Sequence, residues 1–258
     1  MIIKEIVFKI DYGGAELMFH TISDSNTKKL KENSYPGRGI ILGLSPDAQH
    51  LIQVYWIMGR SDNSRNRIFV KENDFVKTKA FDESRVTDPS LIIYYPVKHL
   101  GNRHIVSNGD QTDTIYEFLK KDKSFESALN SREFEPDAPN YTPRISGLID
   151  LDDHENAYKL SILKTVNNNH KYPVRQYFNY AKAIPGCGHC LHTYVENGDP
   201  LPSFSGEPYL VKLFDTAAEN MDYYWNILNK ENRIALLVKF INADTGEYQI
   251  TIFNKHQG

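Results

Sequence analysis

The sequence predicts an α+β fold built mostly from antiparallel strands, and three observations support this prediction. Segments with strand composition outnumber segments with helical spacing. The helical segments come in groups and do not alternate with the strands. Short turns join successive strands, which is typical of an antiparallel meander. We therefore expect two packed sheets with helices outside them, in one domain, because no internal repeat, Pro- or Gly-rich linker or low-complexity tract interrupts the chain.

The first residues are interpreted as an addition to that domain. EIVFKI (5–10) is a possible first strand, and the polar stretch 23–34 has the composition of a loop. Residues 1–34 are therefore predicted to be an N-terminal extension, and residues 35–258 a single domain.

The first strands of the domain are predicted with turns between them. GIILGL (39–44) and HLIQVYWIMG (50–59) flank the turn residues SPDAQ, a pattern typical of a β-hairpin. Further strands are predicted at 67–73, 76–81, 90–99, 103–109, 144–151 and 158–166.

The helices are predicted in the middle and near the end of the chain. One begins around Asp113, and a second covers 124–134. A long helix is expected over 207–229, because apolar residues from Leu213 to Leu228 recur at helical spacing. A final hairpin is predicted at 232–254, with Asp-Thr-Gly in its turn.

Composition excludes several classes of protein. Hydrophobic residues make up 40% and charged residues 24%, as in an ordinary globular protein. A net charge of −3 argues against a general binder of nucleic acid or of membrane surfaces. Apolar stretches such as IALLV (234–238) are too short to cross a bilayer, and the N-terminus lacks a signal-peptide cleavage pattern. With two cysteines, the expected location is the reducing cytoplasm.

The stretch YWIMGRSDNSRNRIFV (55–70) concentrates anion-binding side chains after an apolar strand. Four of the ten arginines lie between residues 38 and 67, where there is no lysine. Guanidinium forms paired hydrogen bonds with phosphate, and serine and asparagine supply neutral donors. A solvated hairpin end with surface ion pairs is the simpler interpretation, but the absence of lysine favours an anion site. Phosphate is the favoured anion.

Two further segments carry candidate polar groups. HIVSNGDQTDTI (104–115) leads from a strand through a glycine turn into a helix start, where unpaired N–H groups are available. A capped helix accounts for Asp113 but not for Asn108. FEPDAPNYTPRI (134–145) places Glu135 and Asp137 among prolines, which can fix a carboxylate for acid–base chemistry. An ordinary rigid connection is the alternative.

Metal binding and tyrosine chemistry are weaker hypotheses. Cys187, Cys190 and the two histidines of GCGHCLH crowd into six residues, whereas structural zinc sites use two separated ligand pairs, so a strand that places one or two side chains in a pocket is favoured over a metal site. In SLIIYYP, Tyr94 and Tyr95 should face opposite sides of a strand.

Four of these segments together resemble a known family. YPGRGIILGLSPDAQ, VYWIMGRSDNSRNRIF, IVSNGDQTDTI and PNYTPRI occur in order over residues 35–150 and resemble the archaeal-type IMP cyclohydrolases and their bacterial relatives. HTYVENGDPLPSF (192–204) is similar to a later family segment. The sequence departs from the family in its first thirty residues, in GCGHCLH, and at Asp110 and Gln111, where the archaeal pattern has Ser and His.

The resemblance implies a four-layer αββα sandwich of the N-terminal-nucleophile hydrolase type, without metal or organic cofactor. It implies ring closure of 5-formamidoimidazole-4-carboxamide ribonucleotide to inosine monophosphate, the last step of de novo purine biosynthesis. Self-association is also implied. The expected catalytic residues are Arg67, Tyr94 and Glu135. The residues expected to contact the nucleotide are Arg38, Arg60, Ser61, Asn66, Asn108, Asp110, Asp113, Arg144, His192 and Tyr194.

Two alternative functions stay open. An amidohydrolase on the same fold would need a nucleophile at a freed chain end, and no Cys, Ser or Thr is placed for that role. A purine-nucleotide-binding protein with altered catalysis would keep the pocket without the reaction. The retained Arg67, Tyr94 and Glu135 favour the enzyme.

Overall fold

The computed structural model describes residues 12–86, 89 and 93–257, and it confirms the α+β class. The strands of this part are β1 Gly39–Leu44, β2 His50–Met58, β3 Arg67–Glu72, β4 Phe75–Ala80, β5 Val97–Leu100, β6 Arg103–Ser107, β7 Arg144–Asp150, β8 Tyr158–Val166, β9 Asn169–Tyr180, β10 Cys187–His192, β11 Tyr209–Lys212, β12 Arg233–Asn242 and β13 Tyr248–Asn254. The α-helices are α1 Tyr12–Glu32, α2 Asp62–Arg65, α3 Gln111–Leu119, α4 Phe125–Asn130 and α5 Ala217–Ile227.

The strands form two antiparallel sheets. Within the described residues, the first has six strands in the order β11-β10-β1-β2-β12-β13, and the second has seven in the order β3-β4-β5-β6-β7-β8-β9. The second sheet follows chain order throughout, so it is a meander of the kind that the sequence predicts. The first sheet combines strands from both ends of the domain.

The two sheets face each other across an apolar core. Ile40 and Ile57 of the first sheet belong to the same buried cluster as Val106 and Ile145 of the second. Successive strand residues point to opposite faces, so Ile41, next to Ile40, faces away from this core. Each fully buried apolar side chain of this kind contributes about 1.5–3 kcal/mol to folding.

Helices cover the outer face of each sheet. Leu30 of α1 and Tyr224 of α5 pack with Ile41 on the outer face of the first sheet. Ile115 of α3 packs with Ile105 on the outer face of the second sheet, together with residues of α4. The layers therefore run helix, sheet, sheet, helix.

Helix α1 overturns the interpretation of residues 23–34 as a loop. Ser23, Thr27 and Leu30 are buried at helical spacing, although two of the three are polar. The hydroxyl groups of Ser23 and Thr27 donate to backbone carbonyl groups of the same helix, at 2.8 and 2.7 Å, so burying them leaves no unpaired donor. The described buried face of the helix includes two self-satisfied hydroxyls beside Leu30, so it does not show an apolar stripe in the sequence.

The predicted hairpins are confirmed, and several boundaries are corrected. Of the predicted strand 90–99, residues 97–99 lie in β5, residues 93–96 lie outside a strand, and residues 90–92 lie outside the described part of the chain. The predicted helix 207–229 was wrong over its first part, because residues 209–212 form β11 and pair with β10. Helix α5 begins after Thr216, which forms a capping box with Glu219. Helix α4 ends before residue 131, so the helix predicted over 124–134 was too long.

Strand β9 was not predicted, and the predicted strand 5–10 lies outside the described residues. Among the residues that the structure describes, no helix combines the length and apolarity needed to cross a membrane.

Candidate functional site

The arginine-rich turn places Arg67 inside the protein. Ser61 caps the short helix α2 and exchanges hydrogen bonds with Ser64, which reverses the chain between β2 and β3. Arg67 then begins β3 and is 2% exposed. Its Nε donates to the Ser64 carbonyl at 2.8 Å and its Nη2 to the Met58 carbonyl at 3.1 Å. These two bonds fix the guanidinium plane, and neither of them involves Nη1.

Arg38 and Glu135 form a buried ion pair. Arg38 Nη2 lies 2.8 Å from Glu135 Oε1, and the two side chains are 12% and 4% exposed. Gly37, at φ +74°, turns the chain just before Arg38 at a place where a Cβ would overlap Thr193 and Tyr194, so only glycine fits.

The Glu135 end of the pair is held by its own loop. The Glu135 backbone N–H donates to the Thr142 carbonyl at 2.9 Å, which closes the proline-containing loop. The segment predicted to be rigid is therefore a closed loop, and the Glu135 side chain is directed inward from it.

Two tyrosines contact each other beside this pair. The hydroxyl oxygens of Tyr55 and Tyr94 are 2.8 Å apart, and both side chains are buried. The backbone of Tyr94 is held by Thr78, whose N–H donates to the Tyr94 carbonyl at 2.9 Å. Tyr95 points the other way, with its hydroxyl on Glu72, so the two adjacent tyrosines do face opposite sides although they lie outside a strand.

A third tyrosine approaches from the 192–197 segment. The Tyr194 hydroxyl lies 2.5 Å from the Thr142 hydroxyl, which also bonds the Asp137 carboxylate. Tyr35 stacks on Tyr194 with ring centroids 5.9 Å apart, and the Arg60 guanidinium lies 5.0 Å from the centroid of the Tyr35 ring. Arg60 is exposed, so it lies at the edge of this group.

We call Arg38, Tyr55, Arg67, Tyr94, Glu135 and Tyr194 the buried cluster. Arg38 interacts electrostatically with Glu135 and with all three tyrosines, and Arg67 with Tyr55 and Tyr94. The three residues predicted as catalytic therefore lie in one group, together with predicted Arg38 and Tyr194.

Burial dominates the protonation behaviour of the buried cluster. It raises the pKa of the Glu135 carboxyl, and the charges of Arg38 and Arg144 offset this only in part. Burial also raises the pKa of Tyr94, again against the two neighbouring arginines Arg67 and Arg38. Tyr94 is consequently a neutral phenol at physiological pH, able to donate a proton or a hydrogen bond.

Arg144 lies next to the buried cluster in a hydrogen-bonded network. Its Nη1 donates to Asp110 Oδ1 at 2.7 Å and to Gln111 Oε1 at 2.8 Å. Asp110 also pairs with Arg132 at 2.5 Å. Asn108 uses its side chain internally, accepting from the Ile145 N–H at 2.8 Å and donating to the Pro143 carbonyl at 2.9 Å.

The remaining predicted residues do not join the buried cluster. Asp113 pairs with Lys98 at 2.6 Å on the outer side of α3. Asn66 holds the backbone of Asp82 through hydrogen bonds of 2.7 and 2.8 Å, and Ser61 caps α2. His192 Nδ1 donates to the Tyr194 carbonyl and its Nε2 accepts from the Tyr209 hydroxyl, both at 2.8 Å, and burial lowers its pKa to about 4.

The Cys/His segment does not assemble a metal site in the described part of the chain. His189 stacks on Tyr180 at 3.7 Å and bonds Tyr158, whereas His192 and Cys190 contact Tyr209. No group of three or more His, Cys, Asp or Glu side chains suited to a metal occurs among the described residues.

A cavity of 610 Å³ lies beside His192, between α1 and strands β10 and β11. His192, Phe204 and Tyr209 line it, so the favoured interpretation of this strand, with one side chain in a pocket, is confirmed for His192. The buried cluster does not line this cavity. Asn197, also in its lining, accepts from Arg60 Nη1 at 2.7 Å and connects the two regions.

Comparison with models of known protein families shows which family the chain belongs to. A family model described as IMP cyclohydrolase-like protein matches residues 35–246. The chain belongs to the IMP cyclohydrolase-like family. The resemblance seen in the four motifs is thereby confirmed, and membership points to a hydrolase-type enzyme related to the IMP cyclohydrolases. A comparison with the curated proteins found no match.

All six residues of the buried cluster fall within the family-matched region, whereas α1 precedes it. Sequence reasoning missed Tyr55 and Thr142. The only signal for Tyr55 was a hydroxyl in a mostly apolar strand, since a buried phenol needs a hydrogen-bond partner. Nothing marked Thr142, whose contacts depend on the fold of its loop.

Proposed function

We propose that this chain is an IMP cyclohydrolase. Its substrate would be 5-formamidoimidazole-4-carboxamide ribonucleotide, in which the carboxamide nitrogen attacks the formyl carbon and water leaves to close the purine ring. Membership of the IMP cyclohydrolase-like family supports the reaction class. The helix–sheet–sheet–helix layering supports assignment to the N-terminal-nucleophile hydrolase type of fold.

The observation that carries the proposal is the composition of the buried cluster. It combines a carboxyl group paired with a guanidinium, a second fixed guanidinium and neutral phenols within one buried region. Ring closure needs these groups together, because a weak amide nucleophile must lose a proton while the attacked formyl oxygen gains negative charge.

Each group then has a role in the reaction. Arg67 and Tyr94 stabilise or protonate the formyl oxygen, and Glu135 orients the carboxamide or accepts its proton. Arg38 favours the ionised form of Glu135 against the effect of burial, and its own Nε is a buried donor without a protein acceptor among the described residues. Both reacting groups belong to one molecule, so holding them close and coplanar supplies much of the acceleration.

Nucleotide binding is assigned to the edge of the buried cluster. Arg60 and Arg144 are the proposed partners of the 5′-phosphate, since guanidinium binds phosphate with paired hydrogen bonds. Asp110 now pairs with Arg144, so the phosphate would have to share or displace that contact. No metal or organic cofactor takes part in the proposed reaction, and the proposed location is the cytoplasm, with self-association.

Purified protein and an absorbance assay for ring closure test the proposal. Wild type should form inosine monophosphate, and Arg67→Ala or Glu135→Gln should lower kcat by about 10²–10³-fold, the usual effect of losing one transition-state group. Arg85→Ala is the matched control, because Arg85 is an exposed arginine outside the buried cluster. Ligand binding without turnover in wild type would instead identify a catalytically altered nucleotide-binding protein.

An inactive wild type that binds no purine nucleotide would reject the proposed substrate altogether. Full activity of Arg67→Ala would reject its catalytic role while leaving the reaction standing. Intact-mass measurement addresses the amidohydrolase alternative, which requires a nucleophile exposed by cleavage of the chain.

A further inference from the structure

Tyr55 reaches the buried cluster from the opposite sheet. It belongs to β2, which pairs with β1 on one side and β12 on the other, so its backbone is fixed within the first sheet. Its ring packs on Phe69, with centroids 5.6 Å apart, and the side chain is fully buried. Tyr94 lies beside the second sheet, held through Thr78 of β4. The hydroxyl contact of 2.8 Å therefore links the two sheets.

The direction of this hydrogen bond follows from burial. A buried O–H needs an acceptor, and leaving it without one costs about 1–3 kcal/mol. In the described part of the chain, the hydrogen-bond partner of the Tyr55 hydroxyl is Tyr94 Oη. The charged neighbours of Tyr55 are the guanidinium groups of Arg38 and Arg67, which donate and cannot accept. Either hydroxyl could donate on the contact geometry alone, but Tyr94 lies near the Glu135 carboxyl group, which can accept its proton. The charged neighbours of Tyr55 only donate, so we assign Tyr55 as the donor.

We propose that Tyr55 is a positioning residue for Tyr94: it donates to the Tyr94 oxygen and so keeps the Tyr94 proton available for the substrate oxygen that gains negative charge. An O–H group that accepts one hydrogen bond donates a stronger one, because hydrogen bonds in a chain polarise each other. Tyr55 acts through Tyr94 and does not contact the substrate. The proposal rests on the proposed function.

A double-mutant cycle tests this role with Tyr55→Phe, Tyr94→Phe and the combined variant. Phenylalanine keeps the ring contact with Phe69, so the fold should be retained, and thermal unfolding checks this. Tyr55→Phe should lower kcat by about 10–100-fold with KM within twofold, since it disturbs orientation and not binding. Tyr94→Phe should cost about 10²–10³-fold. The combined variant should match Tyr94→Phe alone, because Tyr55 has no other route to the reaction.

Tyr158→Phe is the matched control. Tyr158 is 1% exposed, and its hydroxyl bonds His189 at 2.7 Å, away from the buried cluster. It should keep wild-type turnover. A pH profile gives a second readout: loss of the Tyr55 hydrogen bond should raise the pKa of Tyr94 further, so any alkaline limb of kcat should move to higher pH in Tyr55→Phe.

The outcomes separate the two proposals. Unchanged kcat in Tyr55→Phe, or a combined variant whose loss is the product of the two single losses, would overturn the positioning role while the cyclohydrolase assignment stands. Equal losses in Tyr55→Phe and Tyr158→Phe would show a general effect of removing a buried hydroxyl and would also overturn it. A wild type without ring-closing activity overturns the function and this inference with it.

Discussion

Replacing Arg38 by alanine would leave the Glu135 carboxyl group buried without its ion-pair partner. The two groups are 2.8 Å apart, and the Glu135 side chain is 4% exposed, so solvent screens this pair only weakly. Breaking a buried pair from one side typically costs about 3–5 kcal/mol. Arg144 remains as a second positive charge near Glu135, so we expect the lower end, about 3 kcal/mol.

The loss of unfolding free energy in Arg38→Ala should depend on pH in a defined direction. The pKa of Glu135 already lies above its ordinary value of 4.5, and removing Arg38 should raise it further, because Arg38 is the largest opposing charge. The folded state then binds the carboxyl proton more tightly than the unfolded chain does. The stability that this group contributes is fully present below pH 4.5, and it is lost as the pH rises through the pKa of the folded state. The deficit of Arg38→Ala should be small at acid pH and largest at neutral pH.

Urea unfolding of wild type and Arg38→Ala at several values of pH measures this difference. At neutral pH the expected loss corresponds to a fall in Tm of about 6–12 °C, at about 2–4 °C per kcal/mol for a chain of this size. The combined variant Arg38→Ala/Glu135→Gln should recover part of the loss, because it removes the unpaired charge. An equal deficit at pH 4.5 and pH 8, or no recovery in the combined variant, would refute the reasoning.

Three further predictions concern other parts of the molecule. Burial lowers the pKa of Lys239 from 10.5 to about 7, so the unfolding free energy of wild type should rise as the pH increases between these two values. Lys239→Met should not show this rise. Urea unfolding at pH 7 and 9.5 measures it, and an equal rise in the variant would contradict the prediction. Arg60→Ala should raise KM and largely preserve kcat, the pattern of lost uniform binding, and a fall in kcat alone would argue against phosphate anchoring. Leu30→Ala should lower the unfolding free energy by about 2–5 kcal/mol, because Leu30 of α1 is 1% exposed where the helix packs on the first sheet, and a loss below 1 kcal/mol in calorimetry would show that α1 packs only weakly.

The parts of the fold that the sequence predicted are those in which local pattern and tertiary environment agree. β1 and β2 are apolar on both faces, and a short polar turn separates them, so their hairpin is visible in the residues alone. α1 has no such pattern, because its buried positions include Ser23 and Thr27. β9 was missed because it is the edge strand of its sheet, with exposed polar residues and a proline, Pro173, that an edge strand tolerates.

The candidate site was predictable to the extent that its residues lie in ordered motifs. Arg67, Tyr94 and Glu135 came from three separate segments of a resemblance, and the structure brings them into one group with Arg38. Tyr55 could not be found in this way, because its role depends on which residue faces it across the two sheets. Asp113 lay in a matching motif, yet the fold directs it to Lys98.

The location of the buried cluster explains why the two sheets and the site depend on each other. Tyr55 belongs to the first sheet, and Arg38 directly precedes strand β1 of that sheet. Arg67, Tyr94 and Glu135 come from the second sheet or from the loops that lead into it. The polar groups can satisfy one another only when the sheets are packed, since the Arg38–Glu135 and Tyr55–Tyr94 contacts both cross between them. A core of apolar residues alone would hold the sheets together with less electrostatic cost. The buried charges therefore agree with the catalytic role proposed for this interface, because stability alone does not call for them.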